Sequence, residues 1–301
     1  MTDSHIRHPW MTLFRLPNLP TAPGDSIAGA ALAAAVIGAP PRTAALAGAG
    51  ISALFLYMYG LVDNDIAGVV EDRVIAPFRP LPSGAISLRA AKMARGMCWG
   101  AAFLVAALCG MPPSWWLAAG VLLAAICAYN RLKGAWLMGL CRGLSVVAGG
   151  MSVGCASSCR PAIAVALAAV GWTLYIAAVT KLSEGEEKAS EGLGNRRYLL
   201  GLSAFAALPA CIFLPTARLA LLPAAGCFFA FAAWCAAVAP LWRAHRPEER
   251  RTAVGRAIGA LLYMQIGFML AFPSATMLGI ACAIWLAARL MRRLAPEITG
   301  S

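Results

Sequence analysis

The chain has 301 residues, 60% of them hydrophobic and only 13% charged, with a mean hydropathy of +0.72, where a soluble domain carries about 25% charged residues. That excludes an ordinary water-soluble globule and makes a bilayer the natural solvent. The net charge of +12 does not call for nucleic acid either, because basic loops of a membrane protein set topology and meet anionic lipid headgroups; membrane lipids are the expected partners and no nucleic acid is expected.

In chain order, the start, MTDSHIRHPW, is too polar to be the apolar core of a cleavable signal peptide, and no small-residue cleavage site follows, so the first span is expected to stay. Apolar runs of about the length that crosses 30 Å of hydrocarbon fall near 24–39, 44–62, 94–111, 114–130, 136–156, 161–180, 199–215, 218–240, 257–272 and 275–291. They predict an all-α, multi-pass transmembrane bundle of nine to ten helices, forming one domain over 1–301, with Pro273 joining the last two as a hairpin. Trp115, Trp116, Trp136, Trp172 and Trp242 sit near span ends and are read as an interfacial belt, and Arg142 as an anchor at a helix end.

All but three of the 25 Lys and Arg residues lie on one side of this arrangement, the exceptions being Arg42, Arg160 and Arg218. Short basic loops stay on the cytoplasmic side, so the N-terminus and the loops that share its side are expected in the cytoplasm, with the chain in the cell (inner) membrane. The ten cysteines form no metal motif. Cys155 and Cys159, spaced i, i+4 beside Arg160, leave two readings open, a disulfide in an oxidising compartment or two free thiols.

Acidic residues are the rare resource in such a chain, since an ionised side chain inside a membrane is expensive unless paired or hydrated. Of the 13, Asp63, Asp65, Glu71 and Asp72 follow the second span, with Asp25 at the edge of the first. Glu184, Glu186, Glu187 and Glu191 follow the sixth, on the same side. Asn64, Gly68 and Asp72 are spaced i, i+4, i+8, so a helix continuing from the second span would present all three on one face. Oxygen ligands on one face, opposed by a second acidic group and flanked by Arg73, Arg79 and Lys133, suit Mg2+ and a phosphorylated substrate. Chemistry alone leaves three readings: a metal–diphosphate site, a transport pathway, and a solvated loop.

The stretch NDIAGVVEDRVIAPFRPLPSGAIS, Asn64 to Ser87, resembles the first aspartate-rich motif of the UbiA family of prenyltransferases, NDxxDxxxD, with the RPLPSG-type segment that follows it. Arg79 to Gly84 matches that segment fully. RLPNLPTAPGDSIAG (Arg15 to Gly29) is similar to the family's approach to helix 1, with Arg15 and Asn18 at its arginine and asparagine positions. YNRLKG (Tyr129 to Gly134) resembles the YNxxLK element, and TKLSEGEE (Thr180 to Glu187) stands in the place of the second aspartate-rich motif. Two departures are plain: Gly68 replaces the middle aspartate of the first motif, and Glu184 and Glu186 replace the usual DxEGD of the second. The second motif and the GLCRGL stretch (Gly139 to Leu144) resemble EboC-like members of the family.

The resemblance implies helices around a central cavity, with both acidic loops, near 63–88 and 180–197, at its cytoplasmic mouth. It implies Mg2+-dependent transfer of a prenyl group from a prenyl diphosphate to a small-molecule or lipid acceptor, releasing diphosphate. Carried over residue by residue, Asn64, Asp72, Glu184 and Glu186 are the metal ligands, Arg79 and Lys133 the diphosphate cations, and Asp65 a neighbour behind the ligands. Arg15, Asn18, Tyr129 and Asn130 complete the expected substrate contacts. Of these, Asp72, Arg79, Lys133 and Glu186 are expected to be catalytic. Two alternatives stand beside this: a degenerate relative that binds a prenyl or lipid diphosphate without transferring it, and a small transporter.

Overall fold

Ten helices of seven or more residues succeed one another along the described chain. The computed structural model describes residues 8–184, 221–243, 247–270 and 274–299, and the expected span at 199–215, the hairpin proline Pro273 and the second motif from residue 185 onward lie outside these residues. A short α1 (Pro9–Leu13) and a 3-10 turn (Leu16–Asn18) lead into α2 (Thr21–Ile37), α3 (Thr43–Ala67), the short α4 (Val69–Ile75), α5 (Leu88–Leu108) and α6 (Pro113–Leu132). There follow α7 (Ala135–Ser152), α8 (Cys159–Glu184), α9 (Leu221–Arg243), α10 (Pro247–Leu270) and α11 (Ala275–Thr299). Among the described residues there is no strand, and six helices are long and apolar enough to cross a membrane. The all-α, multi-pass reading therefore stands.

Local chemistry sets the boundaries. The Thr21 hydroxyl donates to the Asn18 carbonyl at 2.7 Å, starting α2, and Gly38 at φ +77° ends it just before Pro40 and Pro41. Ser87 caps α5 by accepting from the Ala90 amide at 3.2 Å. Pro113 opens α6 at its first turn, where a missing N–H costs nothing.

The bundle is organised around α7, which packs on α2, α6 and α8. The contacts rely on glycine at points of close approach: a Cβ on Gly149 would overlap the Ser26 carbonyl oxygen on α2, and one on Gly143 would lie 2.6 Å from the Ala169 carbonyl oxygen on α8. Gly139 and Gly143 form the small-xxx-small spacing that lets membrane helices meet backbone to backbone. Behind this seam Leu32, Val146, Trp172, Tyr175 and Phe268 form the largest buried cluster. Gly149→Val is expected to separate α2 from α7, seen as loss of the monodisperse peak on size-exclusion chromatography; a variant as stable as wild type would mean that α2 and α7 do not touch at Gly149.

Burial corrects the belt assignment in part. Trp116, Trp136 and Trp242 are exposed, as a belt requires, whereas Trp115 and Trp172 are each 1% exposed and belong to the interior. Cys155 and Cys159 are free thiols, the first buried and the second exposed.

Candidate active site

The recognisable loop is a compact turn whose hydrogen bonds are almost all internal. The amide of Ser83 donates to the Arg79 carbonyl, that of Gly84 to Leu81 and that of Ile86 to Pro80, all within 3.1 Å. Pro80 and Pro82 fix their own φ angles, and Gly84 takes φ +78°, which costs glycine nothing. The turn then buries Leu81 and Ile86 against Leu13, Val62 and Ala91. The consequence is a fixed position for Arg79, whose Nη1 donates to both carboxylate oxygens of Asp72 at 2.8 Å.

The helix that carries the acids breaks for one residue. α3 ends at Ala67 and α4 begins at Val69, yet the Gly68 amide still donates to the Asn64 carbonyl and the Asp72 amide to the Gly68 carbonyl, each at 2.9 Å. The expected common face survives the break: a Cβ on Gly68 would lie 3.7 Å from Asp72 Oδ2. Gly68 has φ −87°, which any residue adopts, so a side chain fits there.

Around this face the other expected cations converge. The Lys133 ammonium, placed by a left-handed residue at the end of α6 (φ 55°), donates to Asn64 Oδ1 in a short hydrogen bond and lies 5.8 Å from the Tyr129 ring centre. Asn64 Nδ2 donates to Asp65 Oδ1 at 3.3 Å, and Arg15 Nη2 reaches the same oxygen at 3.5 Å. Asp65, 7% exposed, thus stands behind Asn64 as a buried anchor, within electrostatic reach of Arg15, Arg79 and Asp72.

A cavity with about 660 Å³ of atom-free space, its open mouth included, runs inward from here, with Arg15, Asn64 and Tyr129 near its mouth and Leu56, Leu122 and Ile126 along its wall. Asn130 lines it but is 3% exposed, and its Nδ2 is spent on the Gly60 carbonyl at 3.2 Å and Asp63 Oδ2 at 2.8 Å. Its geometry makes it a positioning group for α3. Asn18 is not on the cavity; its carbonyl caps α2. Glu186 lies outside the described residues, and Glu184 closes α8, its side chain outside them too.

The structure adds a polar cluster deeper in, built from residues the sequence left scattered. Asp25, 0% exposed, has its Oδ2 2.7 Å from Arg142 Nε, while its Oδ1 accepts from Trp172 Nε1 at 2.8 Å and from Gln265 Nε2 at 2.5 Å. Arg142 Nη2 also donates to the Thr21 carbonyl at 3.1 Å. Four helices, α2, α7, α8 and α10, are tied at one carboxylate. The anchoring role for Arg142 is thereby corrected: at 9% exposed it sits on the cavity wall, ion-paired with Asp25. Asp25 and Gln265 in apolar spans were the available signal, since buried ionisable groups there need partners.

Among the described residues no group of three or more His, Cys, Asp or Glu side chains could hold a metal. The oxygen donors at the mouth are Asn64 and Asp72, each already matched with a cation. The model of the UbiA prenyltransferase family matches residues 26–255. The fold is shared with an apo structure of a UbiA homolog from Aeropyrum pernix K1, at 18% identity and a TM-score of 0.65, over 86% of this chain and 99% of that one. It is also shared with digeranylgeranylglyceryl phosphate synthase, at 17% identity and a TM-score of 0.57, over 91% of this chain and 98% of that one. No curated protein sequence matches the chain.

Proposed function

Because the chain belongs to the UbiA prenyltransferase family, we propose that it transfers a prenyl group from a prenyl diphosphate to a small-molecule or lipid acceptor at the mouth of its cavity, with Mg2+. The observation that supports this is the pairing at the mouth: Asp72 with Arg79 and Asn64 with Lys133, with Arg15 on Asp65 beside them, directly above an apolar channel. Three cations face two carboxylates there, a surplus that suits an anionic substrate. Each cation already has an oxygen partner that it can exchange for a phosphate oxygen without moving far.

The donor chemistry fits Mg2+, which takes one or two carboxylates and lets substrate phosphates complete its octahedron; Asp72 and Asn64 would hold it here, with Glu186 and Glu184 as further ligands. Bound there, Mg2+ supplies Lewis-acid stabilisation of the diphosphate leaving group. Arg79, Lys133 and Arg15 hold the oxygens on which negative charge develops as the allylic carbon–oxygen bond breaks and its electron pair leaves with diphosphate. Leu56, Leu122 and Ile126 enclose the hydrocarbon and exclude water. Tyr57 and Tyr129 also line the cavity wall, each with a cation over its ring, Arg142 and Lys133. The acceptor nucleophile then bonds to that carbon and loses a proton. The basic loops support a cytoplasmic mouth, with the chain in the cell membrane.

Purified protein given Mg2+ and labelled geranylgeranyl or farnesyl diphosphate should release pyrophosphate in the presence of an acceptor. Saturable binding with no turnover across a wide acceptor panel would instead make it the degenerate, binding-only relative, a reading that Gly68 keeps in view. Solute uptake by proteoliposomes with neither binding nor turnover would make it a transporter. Gly68 also makes the metal site tunable. Partners of metal ligands carry about 10–100-fold in affinity, so Gly68→Asp, which restores a carboxylate beside Asp72, is expected to lower the half-saturating Mg2+ concentration by roughly tenfold in a pyrophosphate-release titration. No change in that concentration would mean that position 68 does not face the metal.

A further inference from the structure

A second concavity, separate from the substrate cavity, lies on the outside of the bundle where α5 and α6 both rest on α3. It is a groove with about 980 Å³ of atom-free space, its open side included, lined by Tyr59, Asp63, Arg95, Gly96, Trp99 and Arg131. At its head Arg95 Nη1 pairs with Asp63 Oδ1 at 2.7 Å, while Arg131 is exposed and has no ion-pair partner among the described residues. Two guanidinium groups thus face one carboxylate, which leaves a single positive charge in excess.

From Trp99 on the groove wall, an aromatic rail leads away along α5. Trp99 meets Phe103 edge-on at 5.4 Å between ring centres, and Phe103 stacks on Trp116 of α6 at 5.8 Å. Gly96 and Gly100 keep the α5 side open: a Cβ on either would meet nothing within 4 Å. Trp99 is 48% and Trp116 37% exposed, so this rail is open to the outside of the bundle.

We propose that this groove is a specific site for one anionic glycerophospholipid, its phosphate held between Arg131 and Arg95 and one acyl chain lying along Trp99, Phe103 and Trp116. Basic pockets between helix ends are where membrane proteins hold acidic headgroups. The single excess charge matches a phosphodiester monoanion better than a diphosphate. The rail gives the ligand a hydrocarbon footing that free phosphate could not use.

Native mass spectrometry and thermal unfolding of the full-length protein in detergent test this, with dioleoyl phosphatidylglycerol, dioleoyl phosphatidylcholine, inorganic phosphate and geranylgeranyl diphosphate as separate probes. Wild type should retain one phosphatidylglycerol and melt higher with it, and should show neither effect with phosphatidylcholine or phosphate. Arg131→Gln should weaken that retention roughly fivefold, the weight of one cation at an anionic lipid. Gly96→Leu, which fills the groove without a clash and improves helix propensity, should abolish it while melting normally in phosphatidylcholine. Equal retention of the two lipids, retention that survives both variants, or protection by phosphate alone would overturn the proposal. So would a geranylgeranyl diphosphate adduct that Gly96→Leu removes, since the groove would then be a substrate subsite.

Discussion

Asp72→Asn should slow pyrophosphate release by roughly 10²–10³-fold, the usual cost of removing one group aimed at charge in the transition state, while leaving the protein folded. Asp72 does two things at once: it is the proposed metal carboxylate, and it holds the Arg79 guanidinium through both of its oxygens at 2.8 Å. The amide keeps the size and one acceptor oxygen and loses the charge. The half-saturating Mg2+ concentration should therefore rise together with the fall in rate. Arg79→Gln separates the two roles, because it leaves the carboxylate and takes away the cation. Its expected signature is a fall in kcat and kcat/KM for prenyl diphosphate with an unchanged Mg2+ dependence. The pair is exposed enough, Arg79 at 43% of its side chain, that breaking it costs little stability, about 0–1 kcal/mol. Release rates within twofold of wild type for both variants would remove Asp72 and Arg79 from the reaction.

Asp25→Ala is expected to destabilise the bundle by about 3–5 kcal/mol, because it leaves a buried guanidinium without its carboxylate. Arg142 has an 11% exposed side chain and Asp25 a fully buried one, so water cannot take over the lost partner. Trp172 and Gln265 would lose their acceptor as well. Thermal unfolding in detergent should show a large drop in Tm, or no folded protein. Asp25→Leu combined with Arg142→Met removes both charges and should recover a large part of the loss, as replacing a whole buried pair by apolar residues often does. Trp172→Phe deletes one hydrogen bond to a charged group and should cost about 1.5–3 kcal/mol. If the double variant is no more stable than Asp25→Ala, the pair contributes through something other than charge compensation. Pyrophosphate release by the refolded double variant would show whether Arg142, on the cavity wall, also acts on substrate.

The helices were legible because their signal is local. A run such as Ala162 to Val179 is apolar over the full thickness of a bilayer, and α8 (Cys159–Glu184) covers it. Residues 24–39 read as a span, and a helix, α2, occupies Thr21–Ile37, although it is not among the six long and apolar enough to cross a membrane. The turn from Arg79 to Gly84 was legible for a related reason: its hydrogen bonds close within six residues, so prolines, a hydroxyl and a glycine at set offsets specify it. Asn64, Gly68 and Asp72 keep the face that their spacing implies, even across the break at Gly68.

Other residues could not be read this way, because sequence distance hid their partners. Trp172 and Arg142 each resemble an interfacial anchor when only the neighbouring residues are considered. Asp25 meets Trp172 across 147 positions and Gln265 across 240. Asp63 belongs by sequence to the acidic motif, yet it turns to Arg95 on the outer groove and leaves the mouth to Asn64, Asp65 and Asp72.

The sequence by itself determined the solvent, the helical class, the family and the loop that holds Arg79, all of which follow from composition, period and short-range turn chemistry. Tertiary structure decided which polar side chains share a site. Which residues meet depends on how α2, α7 and α8 pack, and that packing relies on backbone contacts at glycines such as Gly143 and Gly149, where the absence of a side chain lets distant segments touch.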